Sequence, residues 1–235
     1  MAAIRLMLHG ASGRMGGELL ALLDRDPRFA LVAVAARDAM AVPEGSTFVA
    51  AERLEQAPAV DLVIDFSLAG AVAALAGFCA ERGAGLVSGT TGLDDAGRAA
   101  LDAAALRVPV VWESNYSIGV AVLGELLTRA AAMLRDWQCD ILEQHHRHKR
   151  DAPSGTALSL GELASAQGMA PRYHSVRAGE IVGEHAVQLT GAAERLELVH
   201  RAHSRSIFAH GALEAAARVH GRAPGRYRLR QLLSG

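Results

Sequence analysis

The amino-acid sequence predicts an α/β fold, with a doubly wound parallel sheet in its first half and a second, α+β part after it. Three observations carry this. Short apolar runs alternate with helical patterns from Ile4 to Trp112, the mark of successive βαβ units. A glycine-spaced turn, Gly10-Ala-Ser-Gly13-Arg-Met-Gly16, directly follows the first run. After Asn115 the alternation gives way to one long amphipathic helix and more widely spaced strand-like runs.

Ile4 to Leu8 reads as a buried strand, and Met15, Leu19, Leu20, Leu22 and Leu23 recur at helical spacing until Pro27 ends the helix. Leu31–Ala36 and Val60–Phe66 read as the second and third strands. An Ala-rich helix over 69–82, a strand Gly85–Ser88, a helix over 94–106 and a strand Val108–Trp112 follow. The second part is read as a helix over 118–135, a strand over 140–143 and a helix from Ser154 to about Gln167. Strands over 186–189 and 196–200, a helix over 207–219 and a closing strand from Tyr227 to Leu233 complete it.

The 235 residues suffice for one large or two small domains with a real core, built from aliphatics because aromatics make up only 4%. A net charge of -1 argues against a nucleic-acid or membrane partner, so any cationic site must be local. Cys79 and Cys139 have no metal-type spacing and read as two buried thiols in a reducing compartment. The start lacks a signal-peptide pattern, and the longest uncharged stretch, Phe66 to Ala80, is shorter than the roughly 20 residues a bilayer span needs. The expected location is cytoplasmic.

The glycine turn lies between a strand and a helix, the context a dinucleotide needs. Gly10 permits the tight turn, Gly13 lets backbone approach a pyrophosphate, and Gly16 lets helix pack on strand. The helix start then offers free N–H groups to phosphates. Gly10, Ala11, Ser12, Gly13, Arg14 and Met15 are therefore candidate cofactor contacts. At the end of the second strand, Arg37 can cover a 2′-phosphate or stack on adenine, and Asp38 can reach ribose hydroxyls, so NADPH is expected to be accepted and NADH as well. Gly89, Thr90 and Thr91 follow another strand and can present backbone and hydroxyl groups to a ribose. Phe66 fits either beside a nicotinamide ring or in the core. Ser114, Asn115, Tyr116 and Ser117 are placed as both hinge and cofactor contact.

The most informative segment is Glu143 to Ala157. Six basic side chains, His145 to Arg150, stand in a row, and three of them are histidines. Histidine serves where a proton moves near neutral pH or where metal is held. No metal is expected, because no cysteine or carboxylate pairing completes a set. Anion binding fits better: Ser154 is a candidate N-cap, Gly155 and Thr156 expose first-turn amides, and His146 and Lys149 can add charge-assisted bonds to a carboxylate. A carboxylate cradle beside groups that exchange protons suits hydride transfer to a carboxylated imine or alkene, whose product centre must be protonated.

HHRHKRDAPSGTA at 145–157 resembles the signature of the dihydrodipicolinate reductase family. Further matches run in order along nearly the whole chain: GASGRMG at 10–16, DFS at 65–67, SGTTG at 88–92, SNYSIGV at 114–120, RAGEIVGEH at 177–185 and HRAHSRSIFAHGALEAA at 200–216. The resemblance implies NADH- or NADPH-dependent reduction of 4-hydroxy-tetrahydrodipicolinate to tetrahydrodipicolinate in lysine and diaminopimelate biosynthesis. It implies a Rossmann-like dinucleotide-binding domain, 1–116 plus 206–235, to which the last helix returns, and a substrate-binding and oligomerisation domain, 117–205, that closes on it. His145 then corresponds to the catalytic histidine and Lys149 to the proton donor. His146, Ser154, Gly155 and Thr156 correspond to substrate-carboxylate contacts, Arg205 approaches the substrate, and a homotetramer is expected. The chain departs from the family in being short between Gly161 and Arg177 and in having no acid at Ala36. Two rivals are weighed: another two-domain dehydrogenase, such as an aspartate dehydrogenase, which should lack HHRHK followed by PSGT, and a non-catalytic dinucleotide sensor, which should have lost His145 and Lys149.

Overall fold

The computed structural model describes residues 2–234; Met1 and Gly235, the outer limits of the expected dinucleotide-binding domain, lie outside them. In chain order the elements are β1 (Ile4–His9), α1 (Arg14–Leu23), β2 (Phe29–Ala36), β3 (Thr47–Ala50), β4 (Leu62–Asp65), α2 (Val72–Arg82), β5 (Gly85–Ser88), α3 (Asp95–Ala105) and β6 (Pro109–Trp112). Then come α4 (Ile118–Met133), β7 (Gln138–His145), α5 (Gly155–Ser165), β8 (Pro171–Arg177), β9 (Glu184–Thr190) and β10 (Arg195–Arg201). The chain ends with α6 (Ser206–Val219), β11 (Gly225–Tyr227) and α7 (Leu229–Ser234). One compact unit runs to Tyr116 and resumes at Phe208; the other is Ser117–Ile207.

In the first unit, seven strands of the described residues form one parallel sheet in the order β11-β6-β5-β4-β1-β2-β3. Leu6, Met7, Leu8, Leu62, Val63 and Ile64 are wholly buried, as expected where helices cover both faces of a parallel sheet. The strand order reverses between β1 and β4, which makes their carboxyl ends the switch point where such sheets bind ligands. The C-terminal helix does return to this unit: a Cβ at Gly211 of α6 would overlap the Tyr116 carbonyl, so only glycine allows this approach.

The predicted doubly wound sheet is thus present, with three differences in detail. The edge strand β3 was not expected; it is only four residues long, too short to show a period, and its parallel pairing with β2 makes it a strand. α1 ends at Leu23, well before Pro27, with the Asp24 amide bonded back to Leu20. The predicted closing strand 227–233 is corrected: the strand is Gly225–Tyr227, and Leu229–Ser234 is helical. Leu229 and Leu232 are buried at helical spacing, while the Gln231 side chain accepts from the Arg228 amide and Glu113 accepts from the Leu229 amide, which satisfies the helix start.

In the second unit, four strands of the described residues form a mixed sheet, β10-β9-β7-β8, with β7 and β8 parallel and the other pairs antiparallel. Leu123, Leu127 and Ala131 of α4 and Leu160 and Ala164 of α5 pack on Cys139, Ile141, Val187 and Leu189. β8 lies in the stretch that reads as merely short. Its sequence, Pro-Arg-Tyr-His-Ser-Val-Arg, is polar and largely exposed, so backbone pairing to β7 rather than burial makes it a strand. No helix of the described residues is long and apolar enough to cross a membrane.

Candidate active site

In the first unit the glycine turn has the geometry that phosphate approach requires. Gly10 has φ 81°, and a Cβ there would lie 2.5 Å from the Phe66 carbonyl oxygen. A Cβ at Gly13 would stand 3.2 Å from the Gly10 carbonyl, and one at Gly16 would overlap the Ala11 backbone. α1 opens at Gly13 with no side-chain cap, and Ser12, Gly13 and Arg14 are exposed, so the helix start is open to a ligand anion. Ala11 is buried and Met15 half-buried. The Ala35 carbonyl accepts from the Gly10 and Ala11 amides, which brings the end of β2 against the turn; Arg37 and Asp38 are exposed just beyond it. The residues present therefore fit a dinucleotide.

Beneath these loops lies a polar network that the sequence reading missed. His9 and Asp65, the last residues of β1 and β4, pair at the switch point (Nδ1 to Oδ1, 2.8 Å) at 2% and 0% side-chain exposure. Ser88 Oγ and Thr90 Oγ1 donate to Asp65 Oδ2 at 2.7 and 2.8 Å, and the Ser67 amide donates to Oδ1 at 3.1 Å. Burial alone would raise the Asp65 pKa, but His9 and these donors hold it below its ordinary value. The Thr90 hydroxyl is therefore turned inward, not toward a ribose; the exposed Thr91 is the better placed of the two. Phe66 is half-buried, edge-on to Tyr116 at 5.8 Å, and its ring covers Gly89 so closely that a Cβ there would overlap it. Tyr116 is 1% exposed and its hydroxyl donates to the Ser88 carbonyl at 2.9 Å, so it acts as a brace and not as a surface contact. Ser114 is exposed and Asn115 half-buried.

In the second unit, the basic segment leaves the end of β7 and runs to the start of α5. Ser154 caps α5, accepting from the Ala157 amide at 3.3 Å, with Gly155 exposed and Thr156 half-buried in the first turn. Lys149 Nζ is 2.8 Å from Asp151 Oδ1. His146 Nε2 lies 3.3 Å from an Arg205 Nη2. His145 is mostly buried, and its Nδ1 stands 2.5 Å from Glu143 Oε2. Ser117 belongs to this unit: buried, it caps α4 and lies 3.2 Å from His200 Nε2, so its side chain is committed away from the cofactor role expected for it.

Glu143, Arg177, His185 and His200 had no role in the sequence reading, yet they cluster here. Arg177 grips Glu143 with bonds of 2.6 and 2.8 Å. His185 Nε2 is 3.3 Å from Ser154 Oγ, and its ring stands edge-on to His145 at 5.2 Å. The available signal was strand alternation: Glu143 falls on the face of Cys139 and Ile141 and so had to be inward.

The electrostatics follow from burial and pairing. Burial would raise the Glu143 pKa, but Arg177, Ser175 and His145 outweigh it and hold the carboxyl at about 2. Burial lowers His145 despite Glu143, leaving a neutral imidazole at pH 7. Burial, with His145 and His200 nearby, pushes His185 down to about 4. A folded-state pKa below the unfolded one makes the unfolded chain take up protons first as pH falls. His185 should therefore cost on the order of 3 kcal/mol of stability as pH falls from about 6.5 to about 4. Thermal melts should show this slope, flattened in His185→Asn; equal slopes would exclude His185 as its source.

A glycine-cradled helix start at the switch point of a parallel sheet, in a chain whose second unit gathers histidines, lysine and arginine at another helix start, defines a nicotinamide-dependent oxidoreductase. Family models for the N-terminus and the C-terminus of dihydrodipicolinate reductase match residues 4–116 and 119–233. The 4-hydroxy-tetrahydrodipicolinate reductases of Stenotrophomonas maltophilia and Xanthomonas axonopodis are each 56% identical, over 98% and 99% of this chain and 98% of theirs. A dipicolinate-bound dihydrodipicolinate reductase from Paenisporosarcina superposes with a TM-score of 0.87 at 20% identity, over 97% of this chain and 99% of the other. The chain belongs to the dihydrodipicolinate reductase family.

Proposed function

We propose that this chain reduces 4-hydroxy-tetrahydrodipicolinate to tetrahydrodipicolinate, with the first unit as the dinucleotide-binding domain and the second as the substrate domain. The observation that supports this most is that His145, His146, Lys149, Arg205 and the Ser154-capped start of α5 lie in one unit, in a family of reductases. Gly10 to Met15, Gly89, Thr91 and the Ser114–Asn115 backbone hold the dinucleotide, with Phe66 lining its site. When bound, the reduced nicotinamide supplies a hydride. His146, Arg205 and the amides of Gly155 and Thr156 hold the ring carboxylates, an arrangement in which charge-assisted bonds fix orientation. The 4-hydroxyl leaves as water to give a conjugated imine ring; conjugate hydride addition then leaves an enamine-like centre, and Lys149 Nζ delivers the proton that restores the imine. The test is oxidation of NADPH, then of NADH, with and without freshly generated 4-hydroxy-tetrahydrodipicolinate. Substrate-dependent oxidation is expected; folded protein that binds dinucleotide but oxidises neither would sink the assignment.

Arg37 sets cofactor choice in this reading. Exposed beyond β2, it pairs with no carboxylate among the described residues and is available to a 2′-phosphate. Arg37→Ala should raise the Kd for NADPH by about tenfold, the loss of one charge-assisted bond, and leave NADH unchanged. Equal effects on the two, measured by fluorescence titration, would remove the 2′-phosphate role.

The chain acts as a homotetramer through the second unit. Leu142, Ala186, Val199 and Val176 share the face of its sheet opposite α4 and α5, and Val176 and Val199 are exposed; exposed apolar surface of this kind marks association sites. Light scattering after gel filtration should give four copies, and a monomer would refute it. A cytoplasmic location fits Cys79 and Cys139, both free and buried.

A further inference from the structure

We infer that Glu143, with Arg177, is the positioning pair of the second unit: one buried carboxylate orients His145, the start of α5 and the loop that carries Lys149. The inference rests on the reading of those groups as facing the substrate.

Glu143 occupies an inward position of β7 and is 0% exposed. Apart from the Ser175 side chain on β8, its partners are pieces of the site. Oε1 accepts from Arg177 Nη2 at 2.6 Å and from the Ser154 amide at 3.2 Å, at the cap of α5. Oε2 accepts from Arg177 Nη1 at 2.8 Å and from His145 Nδ1 at 2.5 Å. Arg177 Nη2 also donates to the Asp151 carbonyl at 2.6 Å, holding the loop in which Asp151 pairs with Lys149. Parallel pairing of β7 with β8 sets His145 opposite Arg177, so the fork and the imidazole reach the same carboxylate. Replacing a buried ion pair of this size by apolar side chains is often neutral or stabilising. Packing alone therefore does not account for it, whereas orientation of its partners does.

The pairing also sets the histidine tautomer. A carboxylate can only accept, so His145 Nδ1 carries the hydrogen and the neutral ring presents a bare Nε2 lone pair. A Cβ at Gly183 would lie 3.1 Å from that nitrogen, so glycine keeps this edge clear. His145 is then a proton acceptor or polariser, and donation falls to Lys149.

The experiment uses Glu143→Gln and Arg177→Lys in the full chain, with melting temperature as the control for folding. Glu143→Gln keeps the shape but puts an N–H₂ where donors converge. It should lower kcat by about 10–100-fold, the cost typical of losing such a supporting partner, leave KM for the dinucleotide unchanged, and mix the His145 tautomers in ¹⁵N NMR spectra. Arg177→Lys keeps the Glu143–His145 bond, so the tautomer should match wild type while KM for the imine rises. A folded Glu143→Gln with wild-type kcat and tautomer would overturn the inference. So would a wild-type His145 protonated on Nε2, a measurement that needs no variant to fold. If wild-type protein reduced no imine while His145 still showed the Nδ1–H form, the substrate assignment would fall and the orienting role of Glu143 would stand.

Discussion

Lys149→Ala is expected to lower turnover by about 10²–10⁴-fold, the range for removing a positioned acid or base, with dinucleotide affinity unchanged. Lys149 lies in the second unit, whereas the glycine turn and the loops at 65–67 and 88–92 belong to the first. Its ammonium is paired with Asp151 at 2.8 Å and is 22% exposed, anchored yet open to a ligand. Lys149→Arg separates charge from proton delivery. A guanidinium keeps the positive charge and the bonds to a carboxylate but does not deprotonate near neutral pH. If Lys149 is the donor, Arg should restore KM for the imine and leave kcat low. Steady-state kinetics with a parallel dinucleotide titration decides it: near-normal kcat in the alanine variant would remove the role, and recovered kcat in the arginine variant would reduce it to electrostatics.

The largest stability loss is expected at Asp65. Asp65→Ala removes the buried carboxylate that pairs with His9 and leaves Ser88 Oγ and Thr90 Oγ1 without their acceptor, in a region where His9 and Asp65 are at most 2% exposed. Leaving a buried hydrogen-bonding group without its partner costs about 1–3 kcal/mol, so losing the acceptor shared by His9, Ser88 and Thr90 should cost about 3–5 kcal/mol. In a chain of 235 residues that should lower Tm by about 6–20 °C. Dinucleotide affinity should fall as well, because Asp65 ties together the Phe66–Ser67 and Gly89–Thr90 loops. Calorimetry of the purified variant reads the first effect; a Tm within a degree or two of wild type would mean that the network contributes no net stability.

Much of the first unit was legible because its signals are local. A strand buried on both faces is a short apolar run, and a helix start needs only a few neighbouring residues. Ser154 does cap α5 as its place in the sequence suggested, and Asp94 and Ser117 cap α3 and α4 by the same local chemistry. The misses share one cause: they depend on what a segment meets, not on what it contains. β8 is a polar edge strand defined by its partner β7. The segment 229–234 carries leucines that suit a strand end as readily as a short helix, and burial of Leu229 and Leu232 together chose the helix. Thr90 and Tyr116 were read as cofactor contacts because their loops face the switch point, but their side chains turn inward to Asp65 and to the Ser88 carbonyl.

By itself the sequence determined the alternation of strands and helices in the first unit, the glycine turn, the cap of α5 and the run of basic side chains that marks the candidate site, all properties of residues within a few positions of one another. Only the tertiary structure decided which groups meet across the chain. His9 finds Asp65 56 positions away and Glu143 finds Arg177 34 positions away, because parallel pairing sets register between strands distant in sequence. A carboxylate in a chain can be solvated, paired or catalytic. Burial removes the first option, and the partner that the register supplies selects between the others.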